Sequence, residues 1–297
     1  MKKIVIITGL TASGKSGLAI DLAKHFNGEI ISADSVQIYK GLDIGSAKES
    51  KQTMDEIPHH LIDIKDFSSS YNVGEFISDC ANAIKDITSR NKLPIIIGGT
   101  GLYIKALMQG YSLGGNKADL ELRNKYEELA KTNGNEYVWN ELNKLNSDLA
   151  SKVHPNNLKR VIRYLDIAIN GNKNENSKSI LDNFDICAVG IVADREAIYE
   201  RINKRVDEMI SSGLEEEVIN LVNNGANADC QSMNSIGYKE WFDYFDTKQT
   251  KQETINLIKQ HTRNYCKRQL TFLKTIPNLK LLDIMSAKKI IEDFLND

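Results

Sequence analysis

Cysteine is scarce and unpatterned. Cys80, Cys187, Cys230 and Cys266 are the four in 297 residues, and no two stand at C-x-x-C spacing. Neither a disulfide framework nor a zinc site follows from them. No apolar run approaches the ~20 residues of a membrane-spanning helix. The opening MKKIVIITGL imitates a secretory leader, but the run is short and leads into a glycine loop instead of a small-residue cleavage site. The expectation is therefore a cytoplasmic protein with no membrane partner. A charge excess is also missing: the net charge of -2 gives no global pull toward nucleic acid, so any such partner must be held by local patches. One patch exists, because Thr254 to Lys280 holds six Lys or Arg and no Asp or Glu. No internal repeat or coiled-coil heptad stands out.

What is present is an ordinary soluble composition, 41% hydrophobic and 26% charged, in a chain long enough for one large domain or two ordinary ones. Near its start stands GLTASGKS, residues 9 to 16. The spacing Gly9-x4-Gly14-Lys15-Ser16 is a P-loop, whose backbone N-H groups curl around phosphate oxygens while the lysine reaches the outer ones and the serine meets magnesium. The context agrees. Ile4 to Thr8 is a continuous apolar run suited to a strand covered on both faces, and Leu18, Ala19, Leu22, Ala23 and Phe26 recur at helical spacing behind the loop. The loop would thus open a helix whose N-terminal dipole favours anions.

Further buried strands are predicted at Glu29 to Ser32, Leu93 to Ile97 and Cys187 to Val192. Asp34 lies just beyond the carboxyl end of the second, where open α/β sheets bind ligands. Between Asn72 and Arg90 the residues Val73, Phe76, Ile77, Cys80, Ile84 and Ile87 form one helical face, with Asn72 as cap and Glu75 placed to answer it. Strands alternating with helices predict a parallel sheet: an α/β, P-loop NTPase-like core flanked by helices. From about Lys117 to Asn183 that rhythm breaks into helical patterns without buried strands, read as an inserted all-helical subdomain. The expected division is 1–116 with 184–297 for the core and 117–183 for the insertion. Within it GNKNENSKS, Gly171 to Ser179, is polar and Asn-rich, a mobile loop on composition. Beyond Ala197 the chain reads as helical almost to its end.

Several motifs in order then extend the picture: Asp34-Ser35-Val36-Gln37 with IYKGLDIGSAK, Gly98-Gly99-Thr100-Gly101-Leu102-Tyr103, His154-Pro155-Asn156, GLEEEV from Gly213, Ile236-Gly237-Tyr238-Lys239-Glu240, and TRNYCKRQLTF from Thr262. Together they resemble the bacterial tRNA dimethylallyltransferases from Ile4 to about Phe272. The resemblance implies transfer of a dimethylallyl group from its diphosphate to the exocyclic N6 amine of the adenosine just 3′ of the anticodon, in tRNAs reading codons that begin with U. It implies the tRNA anticodon stem-loop and dimethylallyl diphosphate as partners, Mg2+ as cofactor and a monomer as the working unit. Ser46, Glu49 and Phe272 depart from the family's usual Thr, Pro and Trp.

The resemblance also implies roles. Gly9, Thr11, Ala12, Ser13, Gly14, Lys15 and Ser16 would cradle the diphosphate, with Ser16 on the metal. Allylic substitution expels diphosphate, so stabilising that anion is the main electrostatic task. Asp34 would be the general base that accepts the amine's proton. Thr100 would hydrogen-bond the amine or the base, and Arg205 would bind the diphosphate. For tRNA the matching segments are Asp34, Ser35, Val36, Gln37 and Thr100, then Arg123, Lys159, Arg160, Val161, Ile162 and Arg163, then Asn234, Gly237 and Lys239. Gln37 could read the base's edge by paired hydrogen bonds. Two enzyme alternatives share the core: a small-molecule kinase with Asp194 as its magnesium residue, and an adenylate isopentenyltransferase acting on a free nucleotide. A third reading is a non-catalytic RNA-binding protein. His25, His59, His60 and His154 fit no ligand spacing and take core or surface roles, while His261 lies in the basic stretch.

Overall fold

The computed structural model describes residues 2–110, 119–171 and 179–297; of Leu120 it describes the backbone alone. The polar stretch expected to be mobile falls mainly on 172–178, outside the described residues. The chain forms two compact units, Met1–Gly110 with Ser179–Asp297, and Tyr111–Lys178.

The first unit is built on a six-stranded sheet of order β3-β2-β4-β1-β5-β6. Its strands are β1 (Lys2–Gly9), β2 (Gly28–Ser32), β3 (His59–His60), β4 (Leu93–Gly98), β5 (Phe184–Ile191) and β6 (Lys280–Leu282). Every pairing is parallel, as expected. The reason lies in β1. Ile4 and Ile6 enter one apolar cluster, Val5 and Ile7 a second on the opposite face, and all four are fully buried. Full burial of such a side chain stabilises by about 1.5–3 kcal/mol, so a strand with four consecutive apolar residues is held best with helices on both faces.

One face is covered by α1 (Lys15–His25) and α13 (Ile284–Asn296), through Leu18, Leu22, Ala287 and Ile291. The other packs against α3 (Val73–Ser89), α4 (Gly101–Met108), α9 (Arg195–Ser211), α10 (Leu214–Asn223), α11 (Glu240–Phe245) and α12 (Lys251–Leu273). A short helix, α2 (Lys51–Glu56), precedes β3. The expected capping of α3 is present: Asn72 Oδ1 accepts from the amides of Gly74 and Glu75, and Glu75 Oε2 accepts from the Asn72 amide.

Two strands escape the sequence reading. β3 has two residues and β6 three, too short for any periodic signal. β6 also corrects the expectation of helix throughout the end of the chain. β5 begins earlier than its apolar run suggests, since Phe184 already pairs with Lys2. His60, now a strand residue, bonds through Nε2 to Glu29 at 2.7 Å. Glu29 is also held by Arg90 and Lys92, whose hydrogen bonds keep its carboxyl far below the usual range.

The described part of the second unit is helical: α5 (Leu120–Asn133), α6 (Asn135–Leu145), α7 (Ser147–Ala150) and α8 (Leu158–Asn170). Its own core gathers Tyr126, Val138, Leu142, Val161, Ile162 and Leu165. The Trp139 indole N-H donates to the carbonyls of Ala150 and Val153, at 3.1 and 2.9 Å, which fixes the α7 turn. Among the described residues no helix is long and apolar enough to cross a membrane.

Candidate active site

The carboxyl ends of β1, β2 and β4 lie side by side in the sheet and deliver three loops to one edge. The first is the P-loop. Gly9 has φ 142°, and a Cβ there would lie 2.3 Å from the Ile191 carbonyl oxygen, so only glycine lets β1 turn beside β5. Gly14 caps α1 in a left-handed conformation, and α1 has no acidic residue in its first turn to compete for an anion. Among the described residues the buried Ser13 hydroxyl has no hydrogen-bond partner. A buried hydroxyl with no protein partner inside a phosphate-type loop suits an anion's oxygens. Lys15 Nζ instead donates to the loop's own Leu10 carbonyl at 2.6 Å.

Asp34 follows β2. Its Oδ1 accepts from the amides of Val36 and Gln37 at 2.8 and 3.3 Å, a local turn that leaves Oδ2 without a hydrogen bond among the described residues. Thr100 follows β4 and stands at the N-cap of α4, yet its hydroxyl does not cap the helix. It accepts from the Ser35 amide at 3.1 Å and lies 3.3 Å from the Ser35 hydroxyl, tying the β2 and β4 loops together. Arg205 comes from α9. Among the described residues it has no ion-pair partner, and burial pushes its pKa down while Asp34 opposes that shift.

Two cavities meet here. The smaller, about 120 Å³, runs past Thr11, Lys15, Ser16, Asp34, Gln37 and Arg205. The larger, about 390 Å³, is lined by Asp34, Ser35, Val36, Thr100, Arg205, Asn234, Gly237 and Lys239. Thr11, Asp34, Ser46, Arg205 and Tyr265 border both. At the P-loop end the small cavity offers an anion one helix N-terminus, one ammonium and one guanidinium, with the carboxylates of Asp34 and Glu49 also in its wall. Burial, and next the charge of Arg205, hold the Lys15 pKa down at about 8.

Three expectations need adjustment. Val161 and Ile162 are 0% and 2% exposed in the second unit's core, so their side chains cannot face a tRNA; of the segment from Lys159 to Arg163, Lys159 and Arg160 are the fully exposed side chains. Arg163 is partly engaged by Asp166 at 3.0 Å, while Arg123 is half-buried on α5. Gln37 borders the small cavity, not the large one, and its amide is occupied at both ends, by the Ser32 hydroxyl at 2.9 Å and by the carbonyls of Ser46 and Ala47. Base reading by Gln37 would require those bonds to open. Asp194, the residue a kinase reading needs, caps α9 through the amides of Glu196 and Ala197 and borders neither cavity.

Sequence reasoning missed Tyr265, Arg268 and Gln269, which line these cavities from α12. Tyr265 and Gln269 stand four apart, one helical face, a signal hidden by reading the stretch for its charge. That basic stretch divides: Lys259 and Arg263 bind Asp207 and Asn203 of α9, whereas Arg268 lies over the Tyr265 ring at the larger cavity. His261 bonds Glu240 at 2.7 Å.

A family profile described as IPP transferase matches residues 37–276. A curated tRNA dimethylallyltransferase of Bacillus anthracis is 43% identical over 295 residues, covering 98% of this chain and 94% of the relative. The crystal structure of a full-length tRNA isopentenylpyrophosphate transferase from Bacillus halodurans superposes with a TM-score of 0.73 at 38% identity, covering 100% of this chain and 96% of that one. A eukaryotic dimethylallyltransferase caught acting on tRNA gives a TM-score of 0.82 at 29% identity, over 100% of this chain and 80% of that one. The core, the P-loop edge and these likenesses agree along nearly the whole length: the chain belongs to the IPP transferase family.

Proposed function

We propose that this chain moves the dimethylallyl group of dimethylallyl diphosphate to the exocyclic N6 amine of the adenosine just 3′ of a tRNA anticodon, with Asp34, Thr100 and Arg205 as catalytic residues. The family's reaction is dimethylallyl transfer to a tRNA adenosine, carried out by a prenyltransferase. The observation that carries the finer reading is the junction of two cavities at Asp34 and Arg205, the smaller bordered by Lys15 and the P-loop and the larger by Thr100.

The diphosphate enters the small cavity, where the loop from Gly9 to Ser16, Lys15 and Arg205 surround it. Lys15 releases the Leu10 carbonyl to meet it. The adenine leaves its stack and enters the larger cavity; a loop nucleotide makes that unstacking cost small. The bond from the allylic carbon to the diphosphate oxygen breaks as the carbon-nitrogen bond forms. Charge grows on the departing diphosphate, where preorganised cations are worth most. The amine sheds its proton to Asp34 Oδ2, while Thr100 holds the amine in line. Expelling water from the junction strengthens each of these contacts.

Mg2+ fits as a cofactor of the donor complex. No cluster of three His, Cys, Asp or Glu exists among the described residues, so a resident protein-only site is not built here. The Ser16 hydroxyl and the donor's own oxygens would hold the ion, as in P-loops generally. Bound there, it would neutralise charge on the leaving group.

Recognition of the RNA rests on Lys159, Arg160, Arg163 and Arg123 for phosphates, and on Ser35, Val36, Asn234, Gly237 and Lys239 around the base. The substrates are tRNAs reading codons that begin with U, and the enzyme works as a cytoplasmic monomer. The test is incubation with magnesium, labelled dimethylallyl diphosphate and either tRNA or AMP. Label in tRNA alone supports the reading; label in AMP, or hydrolysis of ATP without prenyl transfer, overturns it.

A further inference from the structure

Gln269 of α12 is 6% exposed and joins the two loops on which the reaction depends. Its Oε1 accepts from the Thr11 amide, in the P-loop, at 2.9 Å. Its Nε2 donates to the Gly99 carbonyl, next to Thr100, at 3.0 Å. One turn earlier the Tyr265 hydroxyl lies 3.3 Å from the same carbonyl. With an N-H at one end and a C=O at the other, the side-chain amide has only one orientation that satisfies both. A Cβ on residue 99 would lie 2.5 Å from Nε2, so glycine is what admits this approach. The arrangement also withdraws the Thr11 amide from anion binding, which a loop built solely to hold phosphates has no reason to do.

We propose that Gln269 is a positioning residue that sets the separation between the donor's diphosphate cradle and the acceptor hydroxyl of Thr100. The inference rests on the reaction proposed above. Donor and acceptor are gripped by different loops, one after β1 and one after β4, and the sheet fixes only the strand ends beneath them. Bond formation needs the reacting atoms ~3–3.5 Å apart and aligned, and a misplacement of ~1 Å can cost ~100-fold. A single side chain bonded to both loops joins the two grips directly, above the strand ends that the sheet fixes. Gln269 itself is not required to touch the allylic carbon, the amine or the transferred proton.

The role separates from simple support because it acts on geometry between substrates and not on either binding step. The variants are Gln269→Met, close in shape and unable to bond, and Gln269→Glu, which keeps the acceptor for Thr11 and sets oxygen against the Gly99 carbonyl. For each, donor affinity with magnesium, tRNA affinity and the single-turnover rate with both saturating are measured, together with thermal melting. The expected result is affinities close to wild type and a single-turnover rate lower by about 100-fold. Gln269→Glu carries the test if Gln269→Met fails to fold. An unchanged rate, or a loss fully accounted for by weaker donor binding, would overturn the inference while leaving the reaction intact. A wild-type chain that transfers no label to tRNA would overturn both.

Discussion

Lys15 Nζ donates to the Leu10 carbonyl at 2.6 Å, so the ammonium that should meet the diphosphate is closed over its own loop. Burial and the neighbouring Arg205 hold its pKa at about 8 instead of 10.5. Above that value the free enzyme loses the proton and with it a grip on the anion. The profile of kcat/KM for the donor, which reports free-enzyme groups, should therefore fall above about pH 8. Lys15→Arg, whose guanidinium stays charged, should lose that limb although its absolute rate is lower. The stability effect has the opposite sign. Between about 8 and 10.5 the unfolded lysine holds a proton that the folded one has released, so resistance to urea rises with pH across that window, and Lys15→Met removes this contribution.

Asp34 does two jobs with two oxygens. Oδ1 shapes the turn through the Val36 and Gln37 amides, and Oδ2 is the proposed proton acceptor. Asp34→Asn keeps a carbonyl oxygen for the turn and removes the base. Turnover should fall ~100-fold to 10,000-fold with tRNA binding retained, measured by single-turnover transfer and by filter binding. A fall in tRNA affinity matching the fall in rate would assign Asp34 to binding instead.

Glu217 accepts four hydrogen bonds, from the amides of Asp43, Ile44 and Gly45 at 3.0, 2.7 and 3.1 Å and from the Tyr238 hydroxyl at 2.7 Å. The loop it holds supplies Ser46 to both cavities. Tyr238→Phe should cost about 1.5–3 kcal/mol, the range for a bond to a charged group. Glu217→Gln should cost more, since its amide hydrogens would face backbone N-H groups, and it should also raise the donor KM. Urea denaturation with steady-state kinetics checks both.

Much of this was legible in the residues, and the gaps have physical causes. β1 announced itself because Ile4 to Ile7 are apolar without a break, and α3 because its caps and its stripe agree. β3 and β6 were silent because two or three residues have no period. Asp34 and Thr100 stand at strand ends that the apolar runs mark. Gln269 could not be read in the same way, since its partner Thr11 lies 258 residues away and no local pattern encodes that meeting. The family resemblance groups Val161 and Ile162 with their basic neighbours as one contact segment, whereas Val161, Ile162 and Leu165 form the apolar stripe of α8. The helical period, applied there, separates the outward cations from the core.

That separation is itself testable. Lys159→Ala and Arg160→Ala should each weaken tRNA binding and lower the slope of log affinity against log salt by about one. Ile162→Ala should leave that slope unchanged and destabilise the second unit by about 2–5 kcal/mol through the cavity it creates. Salt-dependent binding isotherms and chemical denaturation distinguish the two kinds of residue on one helix.

The most direct test of the central claim is a crystal structure with magnesium and a dimethylallyl diphosphate analogue that cannot transfer its alkyl group. The account predicts the diphosphate inside the loop from Gly9 to Ser16, with Lys15 moved off the Leu10 carbonyl, Arg205 on the phosphates and the allylic carbon turned toward Asp34 and Thr100. A donor lodged elsewhere, with Lys15 still on Leu10 and Asp34 remote from the allylic carbon, would contradict it.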